Sequence, residues 1–386
     1  AAGNEAVNIE CSDNVPAQIK FRNSVGGCLM ITGIEIKGFK GFENLSIPQL
    51  TRIILVGGKN NAGKTSLLEA MFLFFDRMNP QMIANQFARR GVSVLPLEPE
   101  TMWAPIFHDY EMEKEISISV TSVSSTETMT IKFNPNYTPS LVRAKTTDQG
   151  GQHLQIRTDQ KPTPSYALDI TYKMNGKKAT SHLLMGIEGL GLHVDYMKAE
   201  KAQAMIISSR SLMNPNEDAE RFGKLDIVGK QDEVIKFLRI IEPNLEALSS
   251  VSMGNISMIH GDIGLKRKIP VSYMGEGVSK LLSIILSIAN AKDGIVLIDE
   301  FENGLHYSVM EKIWEGIGRA AREFNCQVIA TTHSYECLEA AYNGLSGDLK
   351  EDFTYLRLDR IDDETQAKIF DYDMLKVAID TNSEVR

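Results

Sequence analysis

Two uninterrupted apolar runs, residues 53–56 (IILV) and 295–298 (IVLI), lack the polar alternation of a half-solvated strand, and residues 327–332 (QVIATT) form a third stretch of similar character. Runs of this length read as strands buried on both faces, as in a parallel sheet covered on each side. The first run passes through a glycine-rich turn into a helical pattern from Thr65 to about Asp76. There Leu67, Leu68, Ala70, Met71, Phe72 and Phe74 make the helix apolar nearly all round, so it belongs between layers.

Elsewhere the pattern alternates. Residues 31–36, 42–47 and 52–56 read as short strands, with a turn region at Gly38 and Gly41. Residues 115–123, 128–133, 153–157, 166–174 and 178–185 alternate apolar and polar, and Asn175-Gly176 is a two-residue hairpin signal. This predicts an antiparallel β subdomain at about 111–186, inserted after the first apolar strand. Residues 196–246 turn helical around a strand at 202–208. A helix at 232–248 rests on Val234, Ile235, Leu238, Ile241 and Leu245. Residues 251–260 and 262–269 read as another hairpin, and 353–358 as a last strand. The expected class is α/β, with a mostly parallel central sheet and an inserted antiparallel subdomain.

Composition narrows the classes. A chain of 386 residues holds one large or two ordinary domains. The net charge of −9 speaks against an electrostatic nucleic-acid binder as a whole, and Lys266-Arg267-Lys268 reads as a solvated hairpin edge. Cys11, Cys28, Cys326 and Cys337 form no C-x-x-C pair, which points to a reduced, cytoplasmic chain. No run of about 18 apolar residues occurs that would span a membrane. Residues 1–29 lack the basic start and apolar stretch of a signal peptide. They are expected to be a poorly ordered extension, with Met30 opening a folded unit that runs to residue 386.

The turn after the first run is Gly58-Lys59-Asn60-Asn61-Ala62-Gly63-Lys64-Thr65, followed by Ser66, and it fits G-x-x-x-x-G-K-[ST] at every fixed position. Glycines let the backbone curl until its N–H groups converge on phosphate oxygens, and the helix beginning near Lys64 aims its positive end at the same anion. Lys64 would reach the β- and γ-phosphates, and Thr65 would ligate Mg²⁺. The second run ends in Asp299-Glu300. Asp299 is placed to be a second Mg²⁺ ligand, while Glu300 would polarise an attacking water. The third stretch ends at His333-Ser334, where His333 would touch the γ-phosphate. Ahead of both, Met274-Gly275-Glu276-Gly277 opens a strongly apolar helix, a second helix N-terminus fit for an anion.

Taken together, the P-loop, MGEGVSKLL, GIVLIDEFENGLHYSV and QVIATTHSYECLEA resemble the ATP-binding cassette superfamily in its structural-maintenance, RecF-like and OLD-like forms. The likeness is greatest to the OLD (overcoming lysogenization defect)-like AAA/ABC-type ATPases, whose fused Toprim nuclease domain is not expected here. The resemblance makes Asp299 the Walker B metal ligand and Glu300 the catalytic glutamate. It makes Asn303-Gly304-Leu305-His306 the D-loop and His333 the switch histidine. Gly275, Glu276 and Gly277 then correspond to the signature turn that contacts ATP held by an opposite subunit, although Met274 replaces the usual serine. Gln81 and Gln86 are candidates for the Q-loop glutamine. The resemblance implies an ATPase that dimerises head-to-tail around ATP and Mg²⁺, and that regulates a separately encoded nuclease or toxin in anti-phage defence. The alternative is a RecF-like ATP-dependent DNA clamp.

Overall fold

Ile53 and Leu55 pack into one hydrophobic core, and Ile54 and Val56 into another. Both faces of the strand are covered, and the run therefore shows no polar alternation. The computed structural model describes residues 30–77, 83, 98–137, 165–186, 189–194, 204–207, 214–362 and 364–381.

The chain opens with the hairpin β1 (Ile31–Phe39) and β2 (Phe42–Ile47), then β3 (Ile53–Gly57) and α1 (Lys64–Phe75). Five more strands follow: β4 (Ile116–Ser122), β5 (Thr126–Tyr137), β6 (Ser165–Met174), β7 (Lys177–Gly186) and β8 (Gly189–Val194). They continue the first hairpin edge to edge in a seven-stranded antiparallel sheet, ordered β2-β1-β4-β5-β6-β7-β8. The Asn175-Gly176 turn joins β6 to β7, with both residues at positive φ.

Beyond it come β9 (Ala204–Ile207), α2 (Pro215–Ile227) and α3 (Gln231–Leu238). A small sheet of β10 (Ala247–Met253), β11 (Ile256–Asp262) and β12 (Ile269–Pro270) precedes α4 (Glu276–Asn290). The C-terminal part alternates: β13 (Ile295–Ile298), α5 (Tyr307–Glu323), β14 (Gln327–Thr331), α6 (Tyr335–Gly344), β15 (Phe353–Ile361), β16 (Glu364–Phe370) and α7 (Tyr372–Asp380). The central sheet runs β16-β15-β3-β14-β13-β9 and is parallel except for β16.

Helix α1 and the antiparallel sheet cover one face of the central sheet, and α4, α5 and α6 cover the other. Leu281, Ile284, Ile285 and Ile288 of α4 are fully buried there. Truncating any of them to Ala would cost about 2–5 kcal/mol. With both faces dressed, the C-terminal edge of the sheet is where loops gather, and ligands bind at that edge in open α/β sheets.

Two local expectations change. Helix α3 stops at Leu238 rather than running to 248, and the chain has already turned into strand by Ala247. Pro243 has no N–H to donate and disfavours helical backbone at Glu242. The Arg239 guanidinium closes the turn by donating to the Leu245 carbonyl at 2.7 Å. Ile241 and Leu245 mimic helical spacing because an irregular turn brings them to the core. Residues 251–260 are likewise not one strand: Gly254, at φ 63°, begins the turn between β10 and β11. Residues 1–29, Gln81, Gln86 and residues 153–157 lie outside the described residues.

Candidate functional site

The loop between β3 and α1 is closed by contacts that exclude side chains. Gly58 has φ 128°, and a Cβ there would meet the Leu358 carbonyl oxygen of β15 at 2.2 Å. Gly63 has φ 96°, and its Cβ would meet the Phe42 ring at 2.5 Å. No L side chain fits either position. Lys64 is 4% exposed, and its Nζ donates to the carbonyls of Gly58 (2.5 Å) and Lys59 (2.9 Å), curling across the loop. Burial lowers its pKa, and the charges of Glu302, Asp299 and Glu300 oppose that shift. Lys59, Asn60 and Asn61 form the exposed crown of the loop.

The partners of this loop come from the neighbouring parallel strands. Thr65 donates towards the Asp299 carboxylate, 3.2 Å from Oδ1 and 3.3 Å from Oδ2. Thr331, at the end of β14, donates from Oγ1 to Asp299 Oδ1 at 2.7 Å and accepts from the Glu300 N–H at 2.8 Å. Asp299 is held above the usual carboxylate range mainly by burial, with the Glu300 charge adding to it and the Thr331 and Thr65 hydrogen bonds opposing.

Glu300 has φ 50°, which swings its side chain away from Asp299. Asn303 Nδ2 donates to Glu300 Oε2 at 2.6 Å, and His333 Nε2 lies 3.8 Å from Glu300 Oε1. The His333 N–H donates to Glu302 Oε1 at 2.6 Å, tying the loop after β14 to the loop after β13. Beside them Gly57, Gly58, Thr332, His333, Ser334 and Tyr355 line a crevice against the P-loop.

The second turn stands apart. Gly275, with φ 124°, precedes α4, and both Gly275 and Glu276 are exposed. Among the described residues, no hydrogen bond joins residues 275–277 to the 58–65 loop. Gly304 packs so closely on this turn that a Cβ there would meet Glu276 Oε1 at 2.4 Å. His306 caps α5, accepting from the Ser308 N–H.

Thr65 and Asp299 bring a hydroxyl and a carboxylate together, hard oxygen donors of the kind Mg²⁺ takes. Among the described residues, no three His, Cys, Asp or Glu side chains gather to hold a metal unaided. The pair therefore fits a Mg²⁺ that keeps waters and is completed by substrate phosphates.

Five of the sequence candidates thus converge: Lys64, Thr65, Asp299, Glu300 and His333. The turn of Gly275, Glu276 and Gly277 does not join them within one chain. Sequence reasoning did not find the bridging role of Thr331, because it follows from the parallel register that sets Ile298 opposite Ala330. A threonine ending an apolar strand was the available signal. Lys280 and Glu302, which hold the loop after β13, gave no signal of their own.

A phosphate-cradling loop at the C-terminal edge of a parallel sheet, with a carboxylate pair on a nearby strand, defines a P-loop nucleotide hydrolase. The chain belongs to the AAA ATPase domain family, whose model matches residues 30–167 and 198–338. It is accordingly a P-loop ATPase of the ABC/AAA type, acting on ATP. A Helicobacter pylori protein named ATP/GTP phosphatase is 26% identical over 335 residues, covering 80% of this chain and 87% of that protein. An uncharacterized protein of Methanocaldococcus jannaschii is 49% identical over 45 residues, 12% of this chain and 20% of that protein. Among solved structures, an SMC head bound to the C-winged helix domain of ScpA is similar at a TM-score of 0.48 and 12% identity, over 89% of this chain and 99% of that one. The SMC head domain from Thermotoga maritima gives 0.41 and 11%, over 88% and 98%. At these TM-scores neither adds to the family assignment.

Proposed function

We propose that the chain is an Mg²⁺-dependent, OLD-like cytoplasmic ATPase that closes head-to-tail with a second copy around two ATP molecules. The observation that carries this is the convergence of Lys64, Thr65, Asp299, Glu300 and His333 at one sheet edge. The loop of Gly58, Lys59, Asn60, Asn61, Ala62, Gly63, Lys64 and Thr65, with Ser66, cradles the phosphates. Thr65 and Asp299 hold the metal, which neutralises charge between the β- and γ-oxygens. Glu300 orients and deprotonates the attacking water, and His333 contacts the γ-phosphate. The exposed turn of Gly275, Glu276 and Gly277 is left for nucleotide on the opposite subunit, which supports a shared site. The ATP cycle then regulates a separately encoded effector, a nuclease or toxin, in anti-phage defence; this last step rests on the motif resemblance. A RecF-like clamp would instead bind duplex DNA tightly when loaded with ATP, against the net charge of −9.

Glu300→Gln tests the reading. It keeps shape and hydrogen bonding but removes the base, so turnover should fall about 10²–10⁴-fold while ATP binding persists. Single-turnover hydrolysis, run beside light scattering, should show uncleaved ATP accumulating in a dimer or larger species. Unchanged hydrolysis would remove Glu300 from the mechanism, and lost hydrolysis without ATP-dependent association would sink the shared site.

A further inference from the structure

Lys280 lies in α4, one turn beyond the Gly275 turn, and is 2% exposed. Its Nζ donates to two backbone carbonyls, those of Phe301 and Asn303, in the loop that follows Glu300. The same loop meets the start of α4 a second time, where Gly304 packs on Glu276. Burial lowers the Lys280 pKa to about 8, against the charges of Glu302, Cys337 and Glu276.

A buried lysine is costly unless it is well bonded, and a solvated loop would not need one. Each residue from 300 to 303 makes a different tie. Glu300 accepts from Asn303, Glu302 accepts from the His333 N–H, and Phe301 donates its N–H to the Thr331 carbonyl at 2.9 Å. Lys280 supplies the tie that comes from outside the sheet. By contrast, the metal pair Thr65–Asp299 is braced by Thr331 and has no bond to Lys280.

We propose that Lys280 is a positioning residue for Glu300: it fixes the backbone on which Glu300 and Asn303 sit, and so links the Gly275 turn to water activation in the same chain. A displacement of α4 when the turn meets nucleotide on a second copy is passed through one side chain to the general base. The proposal rests on the role assigned to Glu300 above.

The test compares Lys280→Met with wild type and with Glu300→Gln, using MgATP as the probe. The expected result is a fall in kcat of about tenfold or more with the MgATP Kd within about twofold, because the P-loop and metal ligands are held independently. In the Glu300→Gln background, Lys280→Met should add no further loss, since it acts through a group already removed. Wild-type kcat in Lys280→Met overturns the proposal. So does a parallel loss of kcat and MgATP affinity, which marks a merely structural lysine, and so does an additive double variant. If Lys280→Met does not fold, Lys280→Gln, too short to reach both carbonyls, takes its place under the same criteria. Unchanged hydrolysis in Glu300→Gln alone would instead bring down the reading of the site itself, a result distinguishable from the others.

Discussion

Thr65 Oγ1 lies 3.2 and 3.3 Å from the two carboxylate oxygens of Asp299, across 234 residues of chain. One caps the start of a helix and the other the end of a strand, and β14 stands between their strands in the sheet. Oxygen donors converge here without an arginine or lysine bonded between them, so a hard cation is the partner their geometry suits.

Asp299→Asn should therefore separate metal from nucleotide. Affinity for ATP in the presence of Mg²⁺ should fall roughly tenfold or more, about 1.4 kcal/mol, while Mg²⁺-free ATP binds as before or more tightly. Isothermal titration with Mg²⁺ and with EDTA reads the difference. An equal loss in both would mean that Asp299 supports the fold rather than the metal.

Gly58→Ala should disable the loop for a steric reason. Its Cβ would enter the Leu358 carbonyl of β15, and its φ of 128° is one that L side chains rarely adopt. MgATP affinity should drop by about tenfold or more, with a lower melting temperature. Gly223→Ala is the matched control: it sits within α2, nothing lies within 4 Å of its Cβ, and it should gain about 0.5–1 kcal/mol.

The antiparallel sheet is fastened to the P-loop helix at Arg77. The guanidinium sits 3.9 Å from the centroid of the Tyr172 ring on β6, and Nη1 donates to the Phe74 carbonyl at 2.7 Å. The Tyr172 hydroxyl in turn donates to Glu127 on β5. Arg77→Ala should cost about 2 kcal/mol or more, the scale of a desolvated cation–π contact, read by chemical denaturation. Arg77→Lys should recover less than half, because an ammonium lacks the planar face that stacks. Full recovery by lysine would reduce the contact to simple charge.

Asp218 on α2 should set a pH dependence of stability. Burial holds its carboxyl above the ordinary range, even though Ser283 and Arg221 both hydrogen-bond to it. A raised folded value means that the folded state keeps the proton longer, so the penalty grows as pH rises from the unfolded value through the folded one and is complete above it. Asp218→Asn still accepts from Ser283, and Arg221 retains Glu217 at 3.0 Å. Its melting temperature at pH 7 should rise by about a degree or two, with the gain vanishing toward pH 4. A gain that persists at pH 4 would not come from this titration.

The local rules were all present in the sequence. Residues 53–56 and 295–298 had to be doubly buried strands, because nothing polar interrupts them. The Gly58-to-Thr65 turn had to be a phosphate cradle, because its residue types permit only that curl. Asp299 and Glu300 had to end a strand, and the five converging candidates were named from such signals. What no local pattern carries is which strands become neighbours. That β14 lies between β3 and β13 follows from how helices pack over both faces of the sheet, and it places Thr331 between Asp299 and Glu300. The end of α3 near Pro243 and the pairing of β4 with β1 were likewise decided by long-range burial competing with local spacing. Lys280 is the plainest case: in the sequence it is one lysine on an apolar helix, and only the packing of α4 against the loop after β13 gives it two carbonyls to hold.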